Sequence, residues 1–323
     1  MKELIVGRND ADTRLDRFVA KAVPALPDSL LQKALRKKDV KINGRPAKGD
    51  VRVREGDIVR VYVPDEFFRA PKEEEAWQKV RAPRLSVVYE DENILLCDKK
   101  PGVLCHSAGE WGWDTLIANI QAYLRARGEW DPAAENSFAP ALCNRIDRNT
   151  GGIVIAAKNA EALRILNQKV KDRELEKTYL AAVLGRPQPP RGRLEGYIFK
   201  DARKNQVYVY DSPRPGARTA VTEYETLASR EGLSLVRCRL ITGRTHQIRA
   251  QFRHAGCPLL GDGKYGSERE NRRYREKGQA LCSYRLKFCF STPAGALEYL
   301  NGREFAAPVP EFAEKYFPGA KID

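Results

Sequence analysis

The chain has 323 residues, 42% hydrophobic and 31% charged, the balance of a globular protein with room for one large core and a small extra module. Fifty-seven Lys and Arg against 43 Asp and Glu leave a net charge of +14, which points to a polyanionic partner because each neutralised phosphate releases counterions. No apolar run approaches the roughly 20 residues that span a bilayer, Met1-Lys2-Glu3-Leu4 opens no signal-peptide core, and the seven scattered cysteines include no Cys-x-x-Cys pair, which argues against a membrane protein, a disulfide framework and a zinc site.

A reduced, cytoplasmic, monomeric protein is expected, with no membrane partner. Only three histidines are present, so no metal site is anticipated.

Residues 12–63 carry thirteen Lys or Arg against seven Asp or Glu, a basic unit distinct from the rest. Arg14 to Val19 begins an amphipathic helix that should stop before Pro24, since proline disfavours helical geometry in the residue ahead of it. Ser29 is placed to cap a second helix, with Leu30, Leu31, Ala34 and Leu35 inward and Lys33, Arg36, Lys37 and Lys38 solvated. Val40-Lys41-Ile42 reads as a strand, Asn43-Gly44 as a tight turn, and Pro46 as an edge position. An alternating strand runs from Ile58 to Val63. Prolines 64, 71 and 83 and the cluster Lys72 to Glu75 mark a linker across which the two parts could move, which divides the chain at 1–65, 66–84 and 85–323.

From Leu85 the pattern turns strand-rich. Leu85 to Tyr89 and Ile94 to Cys97 are apolar runs, the second closed by Lys99-Lys100-Pro101-Gly102. Thr115 to Arg125 has helical spacing, and Asn159 caps a helix through Val170. Strands follow at Lys177 to Leu184, Gln206 to Tyr210, Val221 to Leu227, Leu233 to Ile241 and Leu281 to Phe290. Mostly strand with a few covering helices makes an α+β fold on a mixed or antiparallel sheet. The charged stretch Arg269 to Lys277 reads as a solvated loop or as an extra RNA contact.

The chain is organised around Asn144 to Gly152, a polar turn running into the buried-strand pattern Ile153 to Ala157. Its one carboxylate, Asp147, lies between Arg145 and Arg148, and nearby cations favour ionised carboxylates. A fixed, ionised carboxylate can act as a nucleophile. The same residues could also make an ordinary surface ion-pair turn.

NRIDRNTGGIVIAAK resembles the HRLD-x-x-TSG signature of the RluA-type RNA pseudouridine synthases, departing from it at Asn144 (for His) and Gly151 (for Ser). The resemblance implies the pseudouridine synthase fold, with a largely antiparallel central sheet. It makes Asp147 the nucleophile, and Arg145 the side chain that fills the space left by an extruded base. Lys177-Thr178-Tyr179-Leu180-Ala181 resembles the family's second motif, which places Tyr179 beside the nucleophile as a stacking surface or, less readily, a base. The bare pattern would otherwise make Tyr179 a core-boundary residue. Ile241 to Arg249 resembles the third motif. A helix from about Thr245 to Ala255 would align His246, Arg249 and Arg253 on a polar stripe, and carry-over makes Arg249 the ion partner of Asp147; otherwise it is a basic helix over the sheet. His246 and Gln247 are read as buttresses.

R-L-D-R-F and K-I-N-G-R-P resemble the αL-type RNA-binding module of a small-subunit ribosomal protein, with Arg17, Lys37, Lys38 and Arg45 as RNA contacts. Together these resemblances imply an isomerase converting uridine to pseudouridine in structured RNA, ribosomal before transfer RNA, a reaction that needs no cofactor. The rivals are a catalytically silent RNA-binding or ribosome-assembly factor with the same fold, and a nucleoside hydrolase, for which no water-activating site is visible.

Overall fold

The computed structural model describes residues 1–69, 75–107, 112–276 and 278–322, so Pro71, Lys72 to Glu74 and Lys277, all named above, lie outside the described residues. The N-terminal unit runs β1 (Lys2–Ile5), α1 (Leu15–Ala22), α2 (Asp28–Arg36), β2 (Val40–Ile42), β3 (Arg45–Pro46) and β4 (Ile58–Val61). Its antiparallel sheet has the order β1-β4-β2-β3, which puts Pro46 on an edge strand where no ladder N–H is lost. Asn43 and Gly44 both take positive φ, as a two-residue hairpin turn requires. Phe18 and Val19 of α1 and Leu31 and Ala34 of α2 share one core with Val40, Val59 and Val61.

Two local expectations fail here. Ser29 lies inside the first turn of α2, with Pro27 at the cap position, and Leu30 is 39% exposed because the inward stripe is narrower than its apolar sequence. The stretch read as a linker is also partly built in. It contains α3 (Glu66–Arg69), and Trp77 packs edge-on against Trp130 with ring centroids 5.5 Å apart, in a core beneath the larger sheet.

That larger sheet is assembled from β5 (Val87–Glu90), β6 (Ile94–Lys99), β7 (Ala141–Leu142), β8 (Gly151–Ala157), β9 (Leu175–Leu184), β10 (Arg191–Asp201), β11 (Gln206–Tyr210), β12 (Arg218–Arg230), β13 (Leu233–Leu240), β14 (Leu281–Phe288) and β15 (Glu304–Ala306). Its order is β11-β10-β12-β13-β9-β14-β8-β6-β5, with β7 on β8 and β15 on β14, and its one parallel pair is β14 with β8. Helices α4 (Leu116–Ala126) and α5 (Ala160–Lys171) cover opposite faces of β8. Thr115 and Asn159 cap them by accepting N–H groups. Ile153 and Ile155 face the α5 side while Val154 and Ala156 face α4, so every residue of β8 is buried and the strand is apolar throughout. The remaining helices are α6 (Gln247–His254), α7 (Glu268–Arg273) and α8 (Glu311–Tyr316).

β10 escaped the sequence reading because most of its positions are exposed or half-exposed, so no hydrophobic period marks it. The stretch beginning at Arg269 is largely α7, capped by the Ser267 hydroxyl, with its own Asn271 buried. Among the described residues no helix is long and apolar enough to cross a membrane.

Candidate active site

The turn ahead of β8 is held from below by groups far apart in sequence. Thr150 N–H donates to Asp147 O (3.1 Å) and closes the turn, while Asn144 Oδ1 accepts Ile155 N–H (2.8 Å) and ties its entry to the strand. Lys99, 1% exposed at the end of β6, donates from Nζ to the carbonyls of Arg148 (2.9 Å), Val103 (2.8 Å) and Lys100 (3.1 Å). Burial brings its pKa down to about 8. Gln279 Nε2 donates to Thr150 Oγ1 (2.6 Å). Gly152 follows at φ +103°, where a Cβ would lie 2.2 Å from the Ser283 carbonyl, so only glycine lets β8 run beside β14.

Asp147, its side chain 26% exposed, sits at the mouth of this turn. Arg249 Nη1 donates to its Oδ2 at 2.7 Å. The other edge of the same guanidinium grips Asp262, Nε to Oδ2 at 2.7 Å and Nη2 to Oδ1 at 3.0 Å, and its plane lies 5.1 Å from the centroid of Tyr265. Asp262 is fully buried and also accepts the N–H groups of Lys264 (2.9 Å) and Tyr265 (3.0 Å). Burial opposes its charge, but Arg249 and those N–H groups win and hold its pKa below the usual carboxylate range. Arg249 is thus a buried bridge between two carboxylates, whereas Arg253, one turn on, is exposed; the polar stripe expected for α6 is not uniform.

α6 begins at Gln247, two residues later than read, because His246 takes a left-handed conformation (φ 54°). Tyr265 hydroxyl accepts Val207 N–H (2.9 Å) and can therefore give its proton to His246 Nδ1 (2.8 Å), which aims Nε2 at Asp147 Oδ2, 3.9 Å away. Burial lowers the His246 pKa, so the ring is neutral at pH 7. Gln247 is buried and makes the buttress, accepting from Thr242 (2.8 Å) and Arg244 N–H (3.0 Å) and donating to Val221 O (3.0 Å).

Tyr179, on β9 between Cys238 of β13 and Ser283 of β14, is 7% exposed and shares a hydrogen bond with Ser283. Burial pushes its phenol up to about 12, with the Asp147 charge adding to the shift. Arg145 and Arg148 do not pair with Asp147. Arg148 Nε donates to Gly102 O (3.0 Å), and Arg145 is exposed beside His106, whose pKa is lowered by burial and then by Arg145. Arg17, Lys37, Lys38 and Arg45 are all exposed on the N-terminal unit, which has its own sheet and core. Asp262 and Lys99 went unread as site residues. Their signals were a carboxylate closing the apolar run Leu259-Leu260-Gly261, and a lysine on the inward register of β6.

The comparisons with known proteins agree with this architecture. The RNA pseudouridylate synthase family matches residues 93–254 and the S4 domain matches 13–59. An uncharacterised RNA pseudouridine synthase of Chlorobaculum parvum is 31% identical, covering 96% of this chain and 95% of its own length. The ribosomal large subunit pseudouridine synthase C of Escherichia coli is 30% identical, covering 87% of this chain and 85% of its own. The solved structure of human RNA pseudouridylate synthase domain containing 1 has the same fold, with TM-score 0.55 and 23% identity over 71% of this chain and 84% of that one. The chain belongs to the RNA pseudouridylate synthase family, isomerases acting on RNA, and carries an S4 domain ahead of the synthase fold.

Proposed function

We propose that Asp147 is the nucleophile of uridine isomerisation and that the substrate is ribosomal RNA. The observation that carries this is the 2.7 Å pairing of a half-exposed carboxylate with a buried arginine whose other edge is clamped to Asp262. The reaction breaks the bond from ribose to uracil nitrogen, turns the base and rejoins it through carbon five, which gives up its proton while the freed nitrogen takes one. A fixed carboxylate suffices to start it. Arg249 aims and charge-balances Asp147, and Tyr179 offers a face to the base; a phenol near 12 is protonated at neutral pH, which favours stacking over proton removal. Exposed Arg145 is placed to enter the stack when a base leaves it, and its planar guanidinium suits that role.

In this reading residues 1–65 grip RNA through Arg17, Lys37, Lys38 and Arg45, residues 85–323 carry the chemistry, and the protein works as a cytoplasmic monomer. Ribosomal RNA is supported by the names of the Escherichia coli relative and its counterparts. Pseudouridine mapping of total RNA with and without the gene tests it: one or a few sites in large-subunit RNA should vanish, and sites lost only from transfer RNA would reject the substrate. Asp147→Asn keeps the side chain's size but removes the nucleophile, so RNA should still bind while pseudouridine falls below detection by chemical labelling. Residual product would exclude Asp147 as the nucleophile.

A further inference from the structure

The S4 unit meets the synthase unit through a narrow polar seam along residues 5–11. Its centre is Asp10, 1% exposed. Its carboxylate accepts Gly7 N–H (3.1 Å) from its own unit, and Asn136 Nδ2 (2.7 Å) and Ser137 Oγ (2.6 Å) from the other. Asn136 also donates to Ile5 O (2.7 Å), so one amide ties two points of the N-terminal chain. Beside it, Asn9 Nδ2 donates to Glu135 Oε1 (2.6 Å), Asn9 Oδ1 accepts Ala160 N–H at the start of α5 (3.1 Å), and Arg164 Nη1 donates to Ala11 O (3.2 Å). Trp130, five residues before Glu135, packs edge-on against Trp77.

A carboxylate removed from water is costly unless hydrogen-bonded, and two of the three donors to Asp10 come from the opposite unit. Asp10 is therefore satisfied only when the units are docked, and undocking must rehydrate it. Among the described residues, the core around Phe18 and the core around Trp130 share no residue. The polar contacts of residues 5–11 are what join the units among the described residues.

We propose that Asp10, with Asn136 and Ser137, is a specificity-determining latch. It holds the RNA-gripping S4 unit at one offset from Asp147, so that only uridines at a matching distance from the gripped segment reach the carboxylate. The proposal rests on the reading that Asp147 isomerises uridine in RNA bound by the S4 unit. A tethered site has a high effective concentration only where the tether's geometry fits. A rigid latch concentrates that advantage on one position along the RNA, and a released module spreads it over many.

The test uses the full chain, an unmodified large-subunit ribosomal RNA transcript, and two variants, Asp10→Ala on the S4 side and Asn136→Ala on the synthase side. If one fails to fold, the other still carries the test. Hydrogen exchange of residues 5–11 reads docking; pseudouridine mapping reads selectivity; single-turnover rates at saturating and limiting RNA separate chemistry from presentation. The expected result is faster exchange at 5–11, a saturating rate at the preferred uridine within about twofold of wild type, a roughly tenfold lower rate there at limiting RNA, and new minor sites. Faster exchange with an unchanged pseudouridine map overturns the latch as a specificity device. Unchanged exchange in a folded variant overturns it as a latch. A saturating rate that falls as far as the limiting one makes these residues structural supports of the active site and also overturns it. A wild-type chain that forms no pseudouridine in any RNA removes the functional reading itself, an outcome distinct from the other three.

Discussion

Replacing Arg249 with methionine separates the two tasks its guanidinium performs. In Arg249→Met, Asp262 keeps the N–H groups of Lys264 and Tyr265 on Oδ1, but its Oδ2 loses the Nε donor at 2.7 Å in a fully buried setting. Breaking a buried pair from one side costs about 3–5 kcal/mol. For a chain of this size that lowers the melting temperature by roughly 4–7 °C. Asp147 loses its Nη1 partner as well, but at 26% side-chain exposure water takes up much of that loss, so the damage there is mainly to aim. A misplacement of about 1 Å can cost ~10²-fold in rate. The second variant, Arg249→Met with Asp262→Asn, removes the stranded buried charge and should recover most of the melting temperature while leaving the single-turnover rate about 10²-fold down. Calorimetry and chemical labelling of pseudouridine read the two quantities. Recovery of rate along with stability would refute the aiming role. The acid limb gives an independent check. Asp262 has a folded pKa below its unfolded one, so its stabilisation is present above about pH 4 and is lost as pH falls through the folded value. Arg249→Met should begin acid unfolding at higher pH than wild type.

Arg145→Ala should slow isomerisation about 10- to 100-fold on a paired uridine and less on a mismatched one, since extrusion costs a few kcal/mol only where a stack must be broken; equal defects in rate assays on the two RNAs would remove its flipping role. Gly152→Ala puts a methyl 2.2 Å from the Ser283 carbonyl at φ +103° and should destabilise by at least about 1–3 kcal/mol in denaturant titration, with activity falling in the folded fraction because the turn must shift; a neutral effect would mean that β8 and β14 can part without cost. Lys99 titrates near 8 in the fold against about 10.4 when unfolded, so between those values the unfolded chain binds more protons and stability rises with pH; Lys99→Met should flatten that part of the stability curve.

What the sequence made legible is what period and punctuation encode. β8 reads as a buried strand because both of its faces are covered, and α4 and α5 read as helices because Thr115 and Asn159 accept the N–H groups that helix starts leave free. β10 does not, because an edge-ward strand with most positions solvated carries no apolar period. At the site, motif order pointed to Asp147, Tyr179 and Arg249 together, but local charge pointed the wrong way. The neighbours Arg145 and Arg148 turn outward or onto the backbone, and the paired cation arrives from 102 residues downstream. Asp262 and Lys99 are active through tertiary contacts alone, and Asp10 is an ordinary surface-type aspartate until Asn136 and Ser137 come to meet it.

The geometry also explains why a single carboxylate can be trusted to one short turn. Asp147 O is fixed by Thr150 N–H, Thr150 by Gln279, the next carbonyl, Arg148 O, by both Lys99 Nζ and Gly102 N–H, and the carboxylate by Arg249. These supports come from β6 and the turn after it, from the residues entering β14 and from α6; β8 brings the first two together, pairing antiparallel with β6 and parallel with β14. A turn held only by its own residues would exchange conformers on the loop timescale. This one can move only if a buried lysine, a buried glutamine or a doubly gripped arginine moves with it, and the last is locked by a carboxylate with no exposed surface. If Asp147 is the nucleophile, its aim is a property of these joined elements, and substitutions at Lys99, Gln279 or Asp262 should cost rate although none of the three is hydrogen-bonded to the Asp147 carboxylate.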